Sequence, residues 1–405
     1  MSGDWVRHVI WWHVYPLGFV GAEPEAGPAT GVTHRLGRLE KWLDHLIGLG
    51  CNGLALGPVF ASGSHGYDTV DYLRIDPRLG DDGDFDALVA ACRERGIRVL
   101  LDGVFNHAGR DFPPVRAALD GSGPRDWVRW SGEYPYLFEG HDRLITLDHT
   151  SAVVRDHVVE VMCHWLERGA DGWRLDAAYA VDPEFWAAVL PRVRERFPDA
   201  WFVGEMIHGD YGDYVQRSGL DSVTQYELWK AVWSSLNDRN LFELAWALDR
   251  HRAWTEAFLP LTFLGNHDVT RIASRLIDSQ HLGHAVALLF FLPGVPSVYY
   301  GDELGYQGVK EDRPGGDDAV RPPMPDTPGD GDSSLYQRLI GIRRRDSWLT
   351  GARISTDGLT NETLAIIAEG PAGQRLSLLL NLADKPFGYG HHAPVPPHSW
   401  AIVPD

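Results

Sequence analysis

The sequence predicts an α/β protein built on a (β/α)8 TIM barrel, and three observations carry that expectation. Short β-rich runs alternate with amphipathic helical stretches, the pattern of parallel βαβ units. Eight such runs can be counted, near residues 10, 54, 100, 173, 202, 223, 261 and 298. Polar and charged residues gather at the C-terminal ends of several of them, on the face where barrels place their sites. Hydrophobic period alone leaves an open doubly wound sheet as the alternative.

Taken in order, Val9–Phe19 is aromatic and β-branched, and Arg38–Leu49 follows with helical spacing. Asn52–Phe60 is the next apolar run, Asp84–Arg95 reads as a helix with a charged face, and Val99–Phe105 is the third strand. Between Asn106 and Thr150 no strong helical period is found. That interval carries Pro113-Pro114, Gly121-Ser122-Gly123-Pro124 and the aromatics Trp127, Trp130, Tyr134, Tyr136 and Phe138. An insertion this long is more often functional than structureless, and after a third strand it overhangs the C-terminal barrel face. Helical Val153–Glu167 and Pro183–Arg196 flank the strand Gly172–Ala177, and Trp201–Met206 follows. A Trp-rich helical region near Leu228–Leu248, the short Leu261–Leu264, helical His284–Leu292 and the strand Pro296–Tyr300 complete the barrel. The loop Gln307–Asp332, rich in Gly, Pro and Asp and carrying Arg313 and Arg321, falls on the same face. Beyond Trp348, Thr363–Ala368 and Leu376–Leu382 read as strands of a small β-module. The expected organisation is a barrel over 1–105 and 151–346, a short inserted domain over 106–150, and a C-terminal β domain over 347–405.

Composition narrows the function classes. With 405 residues, 44% hydrophobic and 23% charged, the chain has a globular balance. A formal charge of −19 argues against a nucleic-acid ligand, which requires clustered Lys and Arg. No apolar run reaches the ~18 residues of a membrane span, since Ala285–Val298 is broken by Pro293-Gly294 and Pro296. Met1–His8 lacks the basic and apolar regions of a secretory leader. Cys51, Cys92 and Cys163 each sit in an apolar segment and read as buried free thiols in a reducing compartment. No Cys-x-x-Cys or Cys/His pair has ligand spacing, so neither a metal site nor a cofactor is expected. A cytoplasmic location follows from the same features, and 16 Trp and 14 Tyr permit a sugar-binding cleft.

The third strand ends in Asp102-Gly-Val-Phe-Asn106-His107 and the fourth is Gly172-Trp173-Arg174-Leu175-Asp176. The fifth ends in Val203-Gly204-Glu205 and the seventh in Leu264-Gly265-Asn266-His267-Asp268. Side chains alternate along a strand, so Arg174 and Asp176 point the same way. Any one of these carboxylates alone reads as an ordinary helix cap or ion pair. Converging from several strand ends, the set suits glycoside hydrolysis, in which one carboxylate attacks the anomeric carbon and another protonates the leaving oxygen. Arg174 is expected to keep Asp176 ionised by charge proximity, while the acid needs a raised pKa.

At these residues the sequence resembles the α-amylase superfamily of glycoside hydrolases. Asp102–His107, Gly172–Ala177, Gly204–Glu205 and Leu264–Asp268 are similar to its four motifs, in order. Ser64-His65-Gly66-Tyr67-Asp68-Thr69-Val70-Asp71-Tyr72 and Gly294–Glu303 resemble its flanking signatures. The resemblance implies Asp176 as nucleophile, Glu205 as acid/base and Asp268 as transition-state stabiliser. It places Arg174, His107 and His267 on the sugar before the cleaved bond, Tyr67 stacked on its face, and His65 beside them. The insertion corresponds to the family's domain B and the C-terminal module to a reduced domain C.

Within the superfamily, Gly-Trp-Arg-Leu-Asp and Tyr67–Tyr72 look most similar to the neopullulanase and cyclomaltodextrinase group. The departures are an absent N-terminal β domain, Ala177-Ala178-Tyr179-Ala180 after the nucleophile position, and no Lys-His pair there of the kind that helps bind calcium. Ser64 stands where strictly exo-acting α-glucosidases tend to carry an Asp clamp. The resemblance therefore implies a retaining hydrolase of malto-oligosaccharides or related α-glucans, α-1,4 favoured and α-1,6 possible, needing no metal. The alternatives are an α-glucan transglycosylase or isomerising glucosyltransferase, and a glucan-binding barrel without turnover.

Overall fold

Eight parallel strands form at the eight predicted runs: β1 Trp11–Val14, β2 Gly53–Leu56, β3 Arg98–Gly103, β4 Gly172–Leu175, β5 Trp201–Gly204, β6 Ser222–Val223, β7 Leu261–Phe263 and β8 Val295–Tyr299. The computed structural model describes residues 3–26, 31–313 and 315–404; Met1, Ser2, Pro314 and Asp405, which belong to segments read above, lie outside them. Consecutive strands pair from β1 through β6, and β8 lies between β7 and β1. A parallel bridge from Thr224 to Leu261 closes the ring between β6 and β7, reinforced by the Gln225 N–H donating to the Leu261 carbonyl at 2.9 Å.

Period-two alternation explains which residues fill the ring. Trp11, Ala55, Leu100, Trp201, Val203, Leu261, Phe263 and Val295 form one buried cluster. Their neighbours Trp12, Leu54, Leu101, Trp173, Phe202 and Val298 join the larger cluster beneath the surrounding helices. On the inner side Trp11 and Trp201 stack with centroids 5.8 Å apart. Gly53 makes room for them, because a Cβ there would lie 2.4 Å from the Trp11 ring. Burying each such side chain contributes on the order of 2–3 kcal/mol. The floor of the barrel is therefore apolar packing around the Trp11–Trp201 stack.

The expected helices form, two of them divided, and helices Tyr211–Ser218 and Ser334–Arg345 form where none was expected. Asp82–Glu94 begins at a reciprocal cap, in which Asp81 accepts from the Gly83 and Asp84 N–H groups and Asp84 accepts from Asp81 N–H. The helical stretch near residues 38–49 is two short helices, Gly37–Glu40 and Leu43–Leu49. The Trp-rich region is likewise two, Tyr226–Asp238 and Leu241–Thr255, divided where Arg239 turns left-handed at φ 48°. The insertion, read as lacking helical period, holds the helix Pro113–Leu119. Seven residues are too few to display a 3.6-residue period against a background of prolines. The rest of the insertion folds on itself, with His107–Gly109 antiparallel to Leu144–Thr146 and Trp130–Ser131 to Tyr134–Pro135.

The C-terminal sheet has four antiparallel strands in sequence order: β9 Arg353–Asp357, β10 Thr363–Glu369, β11 Arg375–Asn381 and β12 Ser399–Pro404. Leu364, Ile366, Leu378 and Leu380 pack into the core cluster shared with the barrel, while Ala365 and Leu379 face the other way with Val395. Cys51, Cys92 and Cys163 are free and buried. Burial pushes all three thiols up, Cys92 to about 12, so none is poised as a thiolate. Among the described residues no helix is long and apolar enough to cross a membrane.

Candidate active site

The strand ladder itself carries the first two carboxylates to the rim. The Asp176 N–H donates to the Gly103 carbonyl at 3.0 Å and the Glu205 N–H to the Leu175 carbonyl at 2.9 Å. Each therefore extends the inward-facing series of its strand: 172, 174, 176 on β4 and 201, 203, 205 on β5. Arg174 is paired in register with Asp102 of β3. Its guanidinium becomes the hub of the rim. Nη1 donates to both Asp102 oxygens at 2.8 and 2.9 Å and to Asp176 Oδ1 at 2.8 Å, and Nη2 lies 2.6 Å from Glu205 Oε1.

Glu205 is held from two further directions. Tyr226 OH donates to Oε1 at 3.3 Å, itself receiving the Asn266 amide at 2.7 Å, and the Ala177 N–H donates to Oε2 at 3.0 Å. Ala177 reaches that orientation in the left-handed region, at φ 46°. Such backbone costs a non-glycine residue roughly 1–2 kcal/mol. Strain of this kind collects at functional sites, and here it aims one N–H at a rim carboxylate.

The opposite wall is built around Asp268. His267 Nε2 lies 2.8 Å from its Oδ2 and Arg321 Nη2 donates to its Oδ1 at 3.0 Å. Arg321 Nε also donates to the His267 carbonyl at 2.9 Å, and its guanidinium lies over the Tyr15 ring. Tyr67, His267 and Tyr15 form a parallel stack with centroid spacings of 5.2 and 5.7 Å. Tyr67 OH donates to Asp102 Oδ2 at 3.0 Å and also contacts His267 Nε2. His107 donates from Nε2 to the Tyr67 carbonyl at 3.0 Å, accepts the Asn106 amide on Nδ1 and stacks on Phe138.

Burial and charge set the protonation of this rim. Burial pushes His107 down to about 3, so it is a neutral donor. Asp268 is held well below the carboxylate range: burial opposes ionisation, but His267, Arg321 and Arg174 together outweigh it. Asp176 goes the other way, which corrects the expectation that Arg174 keeps it ionised. Burial raises it most; Arg174 does lower it, but Glu205, Asp102 and Asp268 add to the rise. A single guanidinium divided among Asp102, Asp176 and Glu205 cannot neutralise all three. That shortfall of positive charge, together with burial, is what lifts the Asp176 carboxyl above the usual carboxylate range.

Above the rim lies a cleft of about 400 Å³ lined by Tyr67, His107, Asp176, Glu205 and Asp268, within the range of small-molecule sites. Phe138 and Glu139 reach it from the insertion, with Tyr179 OH donating to Glu139 at 2.8 Å. Of the sequence-predicted residues, Tyr67, His107, Arg174, Asp176, Glu205, His267 and Asp268 come together. His65 does not join the carboxylates: its ring accepts the Tyr67 N–H at 3.2 Å on the exposed rim. Sequence reasoning noted Asp102 only as a strand end and Arg321 only as a loop residue, and it assigned no role to Tyr15, Tyr226 or Asn266. Strand parity was the available signal, since Tyr15 continues 11 and 13 of β1, and Tyr226 continues 222 and 224.

The residues around Asn106 do not suit the calcium site found in the superfamily. The Asn106 side-chain nitrogen donates to His107 Nδ1 at 3.1 Å, and residues 177–180 offer no carboxylate or imidazole to join its oxygen at a cation. Groups of three metal-ligating side chains occur, among the described residues, only away from the cleft, at Asp278/His281/His398 and His34/Asp81/Asp84.

Comparison with known proteins agrees with this geometry. A cyclomaltodextrinase of Geobacillus thermopakistaniensis is 31% identical over 383 residues, covering 84% of this chain and 63% of the relative. An intracellular maltogenic amylase of Bacillus subtilis is 28% identical over 340 residues, covering 76% and 57%. This chain thus spans about three fifths of the length of these curated relatives. The structure of cyclic alpha-maltosyl-(1→6)-maltose hydrolase from Arthrobacter globiformis, in complex with cyclic alpha-maltosyl-(1→6)-maltose, superposes with a TM-score of 0.86 at 25% identity, covering 99% of each chain. Residues 13–135 and 126–345 match the alpha-amylase catalytic domain, and the chain belongs to that family.

Proposed function

We propose that the chain is a retaining α-glucoside hydrolase that cleaves malto-oligosaccharides or related α-glucans by double displacement. The observation that carries the reading is the single Arg174 guanidinium holding Asp176 and Glu205 on its two terminal nitrogens. Carboxylates bridged in this way lie close, as the ~5–5.5 Å separation of retaining enzymes requires.

In the first step an Asp176 oxygen attacks the anomeric carbon while the glycosidic oxygen departs, taking its proton from Glu205. A covalent glycosyl ester forms on Asp176. In the second step Glu205, now ionised, removes a proton from water, whose oxygen displaces Asp176 with net retention. Double displacement needs one ionised nucleophile and one protonated acid, so one proton is carried between Asp176 and Glu205 at the outset. A leaving oxygen beside Glu205 draws that proton to it. Asp268, held ionised by His267 and Arg321, stabilises the positive charge that develops on the ring. His107, His267 and Arg174 bind the sugar before the cut, Tyr67, which lines the cleft, stacks on its face, and His65 contributes from the rim.

Substrate on both sides of the bond is favoured by Ser64, whose hydroxyl donates to Asp68 at 2.8 Å instead of offering a clamp to a terminal sugar. The names of the cyclomaltodextrinase and maltogenic amylase relatives support α-1,4-linked glucans as the substrate class, and the cyclic maltosyl-maltose complex supports tolerance of α-1,6 links. The barrel over 1–105 and 151–346 supplies the carboxylates, the insertion over 106–150 roofs the cleft, and residues 347–405 form the accessory β domain. A cytoplasmic location agrees with the name of the intracellular relative and with the buried free cysteines.

The test is chromatography of products from maltotriose, panose, isomaltose and a cyclodextrin, with anomer-resolved NMR at early times. Initial release of the α-anomer with shorter sugars is expected. Initial β-anomer sinks the retaining assignment, and products longer than the substrate at early times replace hydrolysis with transfer.

A further inference from the structure

Between the barrel and the C-terminal sheet lies a cluster of metal-ligating side chains that this chemistry does not use. Asp278 caps the turn Ser279–His281 by accepting the Gln280 N–H at 3.0 Å. His281, buried, closes that turn, and His398 immediately precedes β12. The three offer ligand atoms that all lie within 4.8 Å of one another.

The geometry between the two imidazoles is informative. His281 Nε2 and His398 Nδ1 are 3.4 Å apart. That is long for an N–H···N hydrogen bond, but it is the edge of a tetrahedron with metal–nitrogen bonds of ~2.0–2.1 Å. His398 Nε2 lies 2.7 Å from Asp384 Oδ1 and therefore carries a proton. In the neutral ring Nδ1 then turns its lone pair into the cluster. A carboxylate behind a histidine is the arrangement by which metal sites fix the tautomer of a ligand. His398 is also one of four described non-glycine residues with positive φ, at 48°. A histidine held there points to a constraint on its direction.

We propose that Asp278, His281 and His398 bind one divalent transition-metal ion, zinc by ligand type, with the fourth position open to water. The ion ties the segment preceding the barrel helix Leu282–Phe291 to the residue that leads into β12. Asp384 orients His398 without ligating. This departs from the sequence-based expectation of no metal, which rested on local spacing: His281 and His398 are 117 residues apart.

The experiment titrates the full chain, free of any affinity tag, with zinc chloride by calorimetry and follows its melting midpoint. Saturable binding of one equivalent is expected, with the midpoint rising by about 2 °C or more at saturation. Cobalt in place of zinc should give the intense visible bands of tetrahedral coordination. His398→Gln and Asp278→Asn, both at partly exposed positions, should abolish the binding and the shift while glucan turnover stays within about twofold. The proposal is overturned if the native chain shows no saturable binding, as when a shared proton fills the gap. It is equally overturned if either folded variant binds zinc as the native chain does. Zinc binding and the melting shift are read without substrate, so neither depends on the substrate assignment.

Discussion

Glu205→Gln separates the acid/base role from every structural role that residue plays. In the native rim Glu205 only accepts, from Arg174 and Tyr226 on one oxygen and from Ala177 N–H on the other. A glutamine amide must turn its NH2 toward one of these groups, so a donor meets a donor in either orientation. Facing Ala177 it opposes a neutral N–H; facing Arg174 it opposes a cation. The first orientation is therefore preferred, at a cost of about 1–3 kcal/mol, which lowers the melting midpoint without unfolding the chain. The catalytic loss is separate. A positioned general acid is worth roughly 10²–10⁴ in rate, or about 2.7–5.4 kcal/mol of barrier. A sugar alkoxide needs that proton to depart, whereas nitrophenolate does not. We expect kcat/KM on maltotriose to fall by roughly 10²–10⁴ and on a nitrophenyl α-maltoside by about tenfold or less. Azide, which needs no general base, should then restore turnover on the aryl substrate and yield the α-glycosyl azide. Equal losses on both substrates, with no azide product, would falsify the acid/base assignment and leave Glu205 as a brace for Arg174.

Three further outcomes follow from the same rim. Asp176→Asn keeps an oxygen for Arg174 and should fold normally while losing roughly 10⁴ in kcat on malto-oligosaccharides; a variant retaining more than about a tenth of the native rate cannot have lost its nucleophile. Arg321→Met removes one of the cations holding Asp268 below the carboxylate range, so its pKa rises and it protonates sooner as pH falls. The Asp268 carboxyl, followed by carbon-13 NMR and identified by its loss in Asp268→Asn, should therefore titrate at higher pH than in the native chain, and an unmoved titration refutes the link. Turnover should be unchanged by EDTA, because residues 177–180 offer no carboxylate or imidazole to join Asn106 at a cation; activity lost to EDTA and restored by calcium would contradict that reading.

The parts of the molecule that were legible in the sequence share one physical cause. Alternation of side chains in a strand is imposed by backbone geometry, so eight apolar runs marked eight strands, and Arg174, Asp176 and Glu205 kept the phase of their strands into the rim. Residues governed by other rules were less visible. Arg239 breaks a helix by adopting a left-handed conformation that no residue type there announces. Arg321 reaches Asp268 from a loop, where no period exists to follow. The charge state of Asp176 escaped for a different reason: spacing reveals that Arg174 is two residues away, but not that its guanidinium also holds Asp102 and Glu205.

Asp268 shows where strand phase stops working. Leu261 and Phe263 face the barrel interior, so the inward series continues to 265 and 267, and His267 obeys it by stacking between Tyr15 and Tyr67. Asp268 is out of phase by one residue. It reaches the cleft because the chain leaves β7 through Gly265 and Asn266, and the Asn266 side-chain oxygen accepts the Asp268 N–H at 2.8 Å. That local turn redirects the backbone, and the space for it comes from Gly265, where a Cβ would sit 2.4 Å from the buried Asp302 carboxylate. Asp302 is in turn fixed by Arg271 at 2.8 Å. The third carboxylate is thus aimed by a turn supported from the next strand end, and a motif resemblance could find it where periodicity could not.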